Sequence, residues 1–284
     1  MINNEVKQQL ARADQSLYGS RNFNQSLAML YHENSKMDMF RIRQLAETIV
    51  TFSSPYIIER SSQPFKYYPG HKQVSLKEFE ALAEPEGLCG LLVNRRSVRD
   101  YEPGYKLSLY ELFYLMHYSY GVVAWEKLHT GTGHFGYRPS PSAGGLYPLE
   151  LYVAVFSGHL AEGIYHYQSR ENSLELVAAG NFMEQCSGIL QTAPYIKLKD
   201  AAAVIFVTGI PERVMIKYGE RGYRFMQQEA GYVGQNISLL CEETGLGCCF
   251  VGACLDTKVE EMLGIDGVFE SLQSVLVIGK KKQV

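Results

Sequence analysis

Three stretches of this chain carry side chains whose types and spacing could do chemistry. The first is Lys217-Tyr218, followed by Arg221, Tyr223 and Arg224 in the run KYGERGYR. An amine and a phenol side by side, near two guanidinium groups, read either as a solvated surface patch or as an acid–base pair. A lysine serves as a base near neutral pH only where burial or neighbouring cations favour its neutral form. A positioned base is worth about a hundred- to ten-thousandfold in rate. The second stretch is NRRSVRDY at 94–101, which puts Arg95, Arg96, Ser97 and Arg99 within five residues. It reads either as a charged turn or as a phosphate site, because arginine presents a planar donor fork to phosphate oxygens. The C-terminal Lys280, Lys281 and Lys282 could face it across a sheet. The third is RPSPSAGGLYPLELYVAV at 138–155, a Ser/Pro/Gly loop running straight into a buried strand. Gly144 and Gly145 have no Cβ, so a ligand can approach the backbone closely there. Pro139, Pro141 and Pro148 stiffen the loop on both sides. A rigid loop with bare backbone N–H groups, anchored on a strand, reads as a cofactor cradle.

Other patterns carry less. Gly131, Gly133 and Gly136 spell G-x-G-x-x-G. The dinucleotide fingerprint needs a strand before it and a helix after it; residues 125–130 make a poor strand, and Pro139 and Pro141 block a helix. The stretch reads as a flexible loop bordering a substrate opening. Ser140 and Ser142 lack the G-x-S-x-G elbow and an assignable His/Asp partner, so neither is a nucleophile. The cysteines are Cys89, Cys186, Cys241, Cys248, Cys249 and Cys254, without a C-x-x-C pair, and they read as small buried core residues in a reducing compartment. No His or Cys spacing matches a metal site, and none is expected. The N-x-S sequons at Asn24 and Asn236 carry no meaning in a cytoplasmic chain.

The elements that must position these residues follow from periodicity. Residues 149–156, 201–208 and 272–279 read as strands, and 163–168 with 173–177 as an antiparallel pair. Residues 108–120 repeat apolar side chains at helical spacing. The spacing predicts a long helix over 221–244, with Met226, Ala230, Val233, Ile237 and Leu240 in one stripe. Its small row, Ala230, Gly234 and Ser238, suits a close helix crossing. Residues 256–263 form a shorter helix. Strands mixed with helices and hairpins predict an α+β domain around one sheet.

At 284 residues the chain holds one large domain or a domain with an extension. Residues 1–85 differ from the rest and read as an N-terminal extension, with a helix over 41–53 and a loop-rich, extended stretch over 54–73. This extension would pack on the main domain, 86–284, or on a partner subunit. A formal net charge of −3 gives no reason to expect nucleic acid or an anionic membrane as partner. Apolar runs such as 201–207 are too short to span a bilayer, and the first residues lack a secretory h-region, so a cytoplasmic protein is expected.

In this order, the segments from about 91 to 282 resemble the nitroreductase superfamily, and more closely its SagB-type dehydrogenases. That branch includes the azoline dehydrogenases that make thiazoles and oxazoles in peptide natural products. The resemblance is carried by NRRSVRDY (94–101), RPSPSAGGLYPLELYV (138–153), GIYHY (163–167) and KYGERGYRFMQQEAGYVGQN (217–236). It implies a nitroreductase-like fold, a mostly antiparallel central sheet flanked by helices, in a homodimer with FMN in the interface. Arg95 and Ser97, with neighbouring Arg96, would hold the phosphate end of FMN, and Arg99 would lie nearer the pyrimidine edge. Pro141, Ser142, Ala143, Gly144 and Gly145 would run along the ring, where common nitroreductases carry Asn in place of Gly145. Val251 and Gly252 would approach flavin N5, and Lys280 and Lys281 would complete the phosphate site. The small row on the long helix would serve the dimer crossing.

Lys217 and Tyr218 match the pair assigned to catalysis in azoline dehydrogenases. The resemblance therefore implies removal of a ring proton by Lys217, hydride transfer to FMN, and an azoline-containing peptide substrate, in a complex with a cyclodehydratase. Alternatives are oxidation of a carrier-bound thiazoline in nonribosomal peptide assembly, NAD(P)H-dependent reduction of nitro compounds or quinones, and a flavin-binding scaffold subunit without catalysis. Lys217-Tyr218 argues against the last two, since neither needs a base there.

Overall fold

The computed structural model describes residues 26–51, 54–62, 65–66, 69–70, 75–77, 86–127, 133–192 and 195–282. In chain order the elements are helices α1 (Leu27–Ser35), α2 (Met39–Thr51), α3 (Pro55–Ser61), α4 (Gly87–Asn94) and α5 (Leu109–Tyr120). Strands β1 (Ala124–Lys127), β2 (His134–Tyr137), β3 (Leu149–Val155), β4 (Gly163–Gln168) and β5 (Ser173–Ala179) follow. Then come α6 (Met183–Ile189), β6 (Ala203–Gly209), α7 (Pro211–Tyr218), α8 (Glu220–Glu243), β7 (Leu246–Val251), α9 (Asp256–Leu263) and β8 (Ser271–Lys280).

Six strands form one antiparallel sheet in the order β5-β4-β3-β6-β8-β7. Alternation along β3 explains why both of its faces are buried. Leu149, Leu151, Val153 and Val155 point to the layer holding α5, α7 and α8, while Tyr152 and Ala154 point to the layer of α6 and α9. Strand β6 is buried throughout, as its unbroken apolar sequence requires. Helix α8 turns most of the predicted stripe inward: Met226, Ala230, Val233 and Ile237 are buried and Leu240 is half-buried, while Cys241 beside it is buried. Helix α5 starts at a capping box in which Ser108 and Glu111 bond each other's backbone N–H.

Several expectations meet a different structure. The stretch expected as extended includes α3, a helix begun by Pro55, which suits a first helical position. The loop expected around Gly133 and Gly136 contains the hairpin β1–β2, with Gly136 facing Trp125; Gly131 lies outside the described residues. No helix follows that hairpin, so the glycines form no dinucleotide site. Within the chain, two of the three positions of the small row on α8 face β7. Phe250 of β7 fills the space above Gly234, and Ser238 Oγ lies 3.7 Å from Cys248 Sγ, so the row admits the chain's own edge strand. Cys89 is exposed, while the other five cysteines are buried.

Helix α1 packs on the main domain. The Ala28 N–H and the Ser26 hydroxyl both donate to the Glu220 carboxylate, His32 Nδ1 lies 2.7 Å from Tyr223 Oη, and the Met37 N–H donates to Asp256. Among the described residues no helix is long and apolar enough to cross a membrane.

Strand register fixes two ends of the molecule. Leu149, where the 138–148 loop enters the sheet, pairs with Gly209, and Gly209 pairs with Ser271 at the start of β8. Lys280 closes β8 at its other end, roughly 30 Å further along the strand direction at about 3.3 Å per residue.

Candidate active site

The loop before β3 is held from beneath by a buried polar network. The Arg138 N–H donates to Tyr147 Oη (3.1 Å), and the Tyr147 N–H donates to Ser142 Oγ (2.9 Å). These bonds hold Tyr147 at φ +44°, a left-handed conformation that a tyrosine rarely adopts. The Arg138 guanidinium lies 4.3 Å from the Tyr120 ring centre and 4.9 Å from that of Tyr147. Ser140 Oγ donates to the Ser119 carbonyl and accepts from Asn236 Nδ2 (2.9 Å) of α8. Deeper still, Tyr120 Oη donates to Glu229 (2.7 Å) and accepts from the Leu149 N–H (3.1 Å). Glu229 is 1% exposed. Burial pushes its carboxyl above the usual carboxylate range, and hydrogen bonds from Ser142 and Tyr120 pull it back only in part.

The same loop meets Lys217 and Tyr218. Helix α7 begins with Pro211 and is stopped after Tyr218 by Gly219 at φ +56°. The Ile210 N–H donates to the Pro148 carbonyl, tying the start of α7 to the end of the loop. Gly144 sits at φ +62°, and a Cβ there would stand 2.6 Å from Tyr218 Oη and 2.7 Å from Lys217 Nζ. Phe135 of β2 closes in the same way on Gly145, at φ +66°. The space over the two glycines, expected to admit a ligand, is occupied here by side chains of the same chain. Lys217 is exposed, with its amine 5.3 Å from the Tyr218 ring centre, and Tyr218 lies edge-on to Phe225 at 5.1 Å.

The second group gathers around the edge strand. Ser97 bridges to Cys248 of β7 in parallel, and the Val98 N–H donates to the Cys248 carbonyl (3.0 Å). Tyr101 bridges to Lys281, and the Glu102 N–H donates to the Lys280 carbonyl. The 95–99 segment and the C-terminal lysines are thus brought together. Their side chains differ in what they face. Arg96 donates back to the carbonyls of Val93 and Arg95, Lys281 pairs with Glu242 (2.5 Å), and Lys280 Nζ stands 5.6 Å from the Tyr105 ring centre. Ser97 and Arg99 are exposed and Arg95 is half-buried. Val251 and Gly252, at the other end of β7, line a cavity of about 340 Å³, and nothing lies within 4 Å of a Cβ built on Gly252. Ser35 and Met37 of the N-terminal segment line that cavity too.

Within one chain these groups stand apart. Lys217 lies just before the first residue of α8, whereas Lys281 pairs with Glu242 in its last turn. At 24 residues α8 is about 36 Å long, the width of a small domain. Lys217 and Tyr218 therefore stand near the first turn of α8 and Lys281 near its last, while the cradle runs between them, with Ser142 bonded to Glu229 and Ser140 to Asn236. The sequence resemblance makes these groups walls of one site and assigns no role to Glu229, Tyr120, Asn236, Glu150 or Arg213. Glu229 and Asn236 were within reach: they recur at helical spacing inside EAGYVGQN, polar positions on a helix whose stripe is otherwise core.

Comparison with known proteins adds the following. The nitroreductase family model matches residues 92–280. The "Putative nitroreductase MJ1384" of Methanocaldococcus jannaschii is 33% identical over 176 residues, 62% of this chain and 83% of that one. The trifolitoxin-processing protein TfxB of Rhizobium leguminosarum bv. trifolii is 27% identical over 180 residues, 61% of this chain and 47% of TfxB. The microcin B17-processing protein McbC of Escherichia coli is 28% identical over 134 residues, 45% of this chain and 49% of McbC. The matched segment thus spans about half the length of these two processing proteins. In fold, a chain of the E. coli microcin synthetase McbBCD complex with truncated pro-MccB17 aligns over 92% of this chain and all of its own length, with a TM-score of 0.64 and 19% identity.

Proposed function

This chain belongs to the nitroreductase family, and we propose that it is an FMN-dependent dehydrogenase that oxidises thiazoline or oxazoline rings in peptides to thiazoles or oxazoles. The observation that carries the reading is the meeting of Lys217 and Tyr218 with Gly144 of the cradle loop. A plain flavin reductase needs no amine and phenol at that place. Likeness to TfxB and McbC, both named for processing peptide products, supports the SagB-type branch and a peptide substrate.

The donor set around the start of β7 fits the phosphate of FMN: Arg95, Ser97 and Lys280 would hold it, with Arg99 nearer the ring. A guanidinium, a hydroxyl and an ammonium suit a phosphate dianion. FMN, when bound, supplies the two-electron acceptor. In this reading the azoline ring gives up one proton and one hydride equivalent. Lys217, exposed in a single chain, would take the proton from the ring carbon once substrate and the second copy cover it, with the Tyr218 phenol beside it orienting the ring. Because Lys217 and Lys281 lie at opposite ends of α8, each site in this reading takes Gly144, Lys217 and Tyr218 from one copy and Arg95, Ser97 and Lys280 from the other. Exposed Leu88, Leu92 and Val93 on α4, next to the basic cluster, supply apolar surface for such a contact. A cyclodehydratase that forms the azoline would be the natural partner, since its product is this substrate.

The likeness to MJ1384 favours a second reading, reduction of nitro compounds or quinones by a nicotinamide donor. Purification separates the outcomes. The proposal expects a yellow protein that releases FMN on denaturation, and loss of most of that FMN in R95A/S97A. A protein that carries no FMN and takes up none when it is added contradicts it. FMN reduced rapidly by NADH or NADPH in the presence of a nitroarene, with azolines left untouched, favours the second reading.

A further inference from the structure

We propose that Arg213 and Glu150 form a positioning pair that sets the Lys217 amine over Gly144. The proposal rests on the reading of Lys217 as the base and adds how that base is held. Arg213 and Lys217 are four residues apart on α7, so they share one face of the helix, about 6 Å apart along its axis. That face grips the 144–150 stretch at both ends. Lys217 abuts Gly144, while Arg213 donates to Glu150 Oε1 at 2.5 Å. A backbone bond from Ile210, just before α7, to the Pro148 carbonyl ties the same stretch.

Glu150 is itself immobilised. Its side chain is 15% exposed, and its second oxygen, Oε2, lies 3.0 Å from His166 Nε2. The other ring nitrogen of His166 lies 2.8 Å from Glu175 Oε2. An imidazole between two carboxylates donates from both nitrogens, so this geometry selects the imidazolium. The chain Arg213–Glu150–His166–Glu175 thus runs from α7 across β3 and β4 to β5. A carboxylate fixed on the sheet by such a chain gives α7 a rigid reference point. Glu150 bridges Arg213 and His166, so loss of Arg213 leaves the chain of four groups one positive charge short.

The experiment uses the full chain and the variants Arg213→Met, Arg213→Lys and Glu150→Gln. Lysines are reductively methylated with ¹³C-formaldehyde, and the Lys217 dimethylamine resonance is identified by its absence in Lys217→Ala. Arg213→Met and Glu150→Gln are expected to move that resonance away from the Tyr218-shifted position to that of an unrestrained lysine, while Arg213→Lys keeps it near wild type. Azoline oxidation should lose about tenfold or more in kcat in the first two, with KM within about twofold, as expected when a reacting group shifts by a fraction of an ångström. An unmoved Lys217 resonance in Arg213→Met and Glu150→Gln overturns the proposal. Should Arg213→Met fail to fold, the near-isosteric Glu150→Gln decides alone. If the wild type oxidises no azoline, the functional reading fails, and the resonance still tells whether the pair positions Lys217.

Discussion

At the scale of single residues, Gly144 and His166 matter most. Gly144 adopts φ +62°, and its missing Cβ is the space into which Tyr218 Oη and Lys217 Nζ reach. Gly144→Ala is strained by its backbone angle, and it also pushes both side chains off the loop. Stability should fall by roughly 1 kcal/mol or more, with azoline oxidation reduced far more than folding; a thermal melt beside an oxidation assay checks this. His166 carries a pH signature. Burial lowers its pKa, but hydrogen bonds to Glu150 and Glu175 outweigh burial and leave it raised. Its neighbours are Glu150 and Tyr152 on β3, Glu175 on β5, Arg213 on α7 and Glu270 ahead of β8. A raised histidine stabilises the fold fully below its unfolded pKa of about 6.5, and the contribution is lost as pH rises through the folded value. The melting temperature of the wild type should therefore approach that of His166→Gln as pH goes from acid to alkaline. A gap that stays constant across that range counts against the two-carboxylate clamp.

Among the elements, α8 is the one that organises the site. It carries Glu229 and Asn236 to the underside of the cradle, Gly234 and Ser238 to β7, and Glu242 to Lys281. Glu229→Ala would leave Tyr120 Oη and the Ser142 hydroxyl without their shared acceptor in a dry setting. Such a loss costs about 1–3 kcal/mol, lowers the melting temperature by several degrees and should loosen the loop that places Gly144, seen as faster amide exchange at Tyr147 and Leu149. Much of this architecture was legible. The apolar runs at 149–155 and 203–209 and the 3.6-residue stripe of α8 report their own burial, so strands and helix follow from local chemistry. The small row on α8 was legible as a close approach but not as an approach to β7, because small side chains record proximity without naming the neighbour. Glu229, Glu150 and Arg213 were opaque for a related reason: a charged residue in a sequence reads as solvated, and only the tertiary fold shows it buried and paired. Helix α7 itself hides because its PERVMIKY run is short and mostly polar on one face.

For the whole molecule, the proposed function makes a second copy part of the chemistry, because Lys217 stands before the first turn of α8 and Lys281 pairs with Glu242 in its last. Mixing two inactive proteins tests this. Homodimers of R95A/S97A lack the phosphate donors, and homodimers of Lys217→Ala lack the base. In a mixed dimer, one site combines the intact basic cluster of the second variant with the intact cradle of the first, so part of the activity should return. Sites built within single chains would leave the mixture as inactive as its components. The central claim remains that Lys217, held over Gly144, makes this family member an azoline oxidant. The measurement that tests it most directly is mass spectrometry of a thiazoline-containing peptide incubated with the FMN-loaded protein and with its FMN-loaded Lys217→Ala variant. The account predicts loss of two hydrogens per ring with the wild type and almost none with the variant. A peptide unchanged in mass with the wild type, or oxidised equally fast by both proteins, would contradict it.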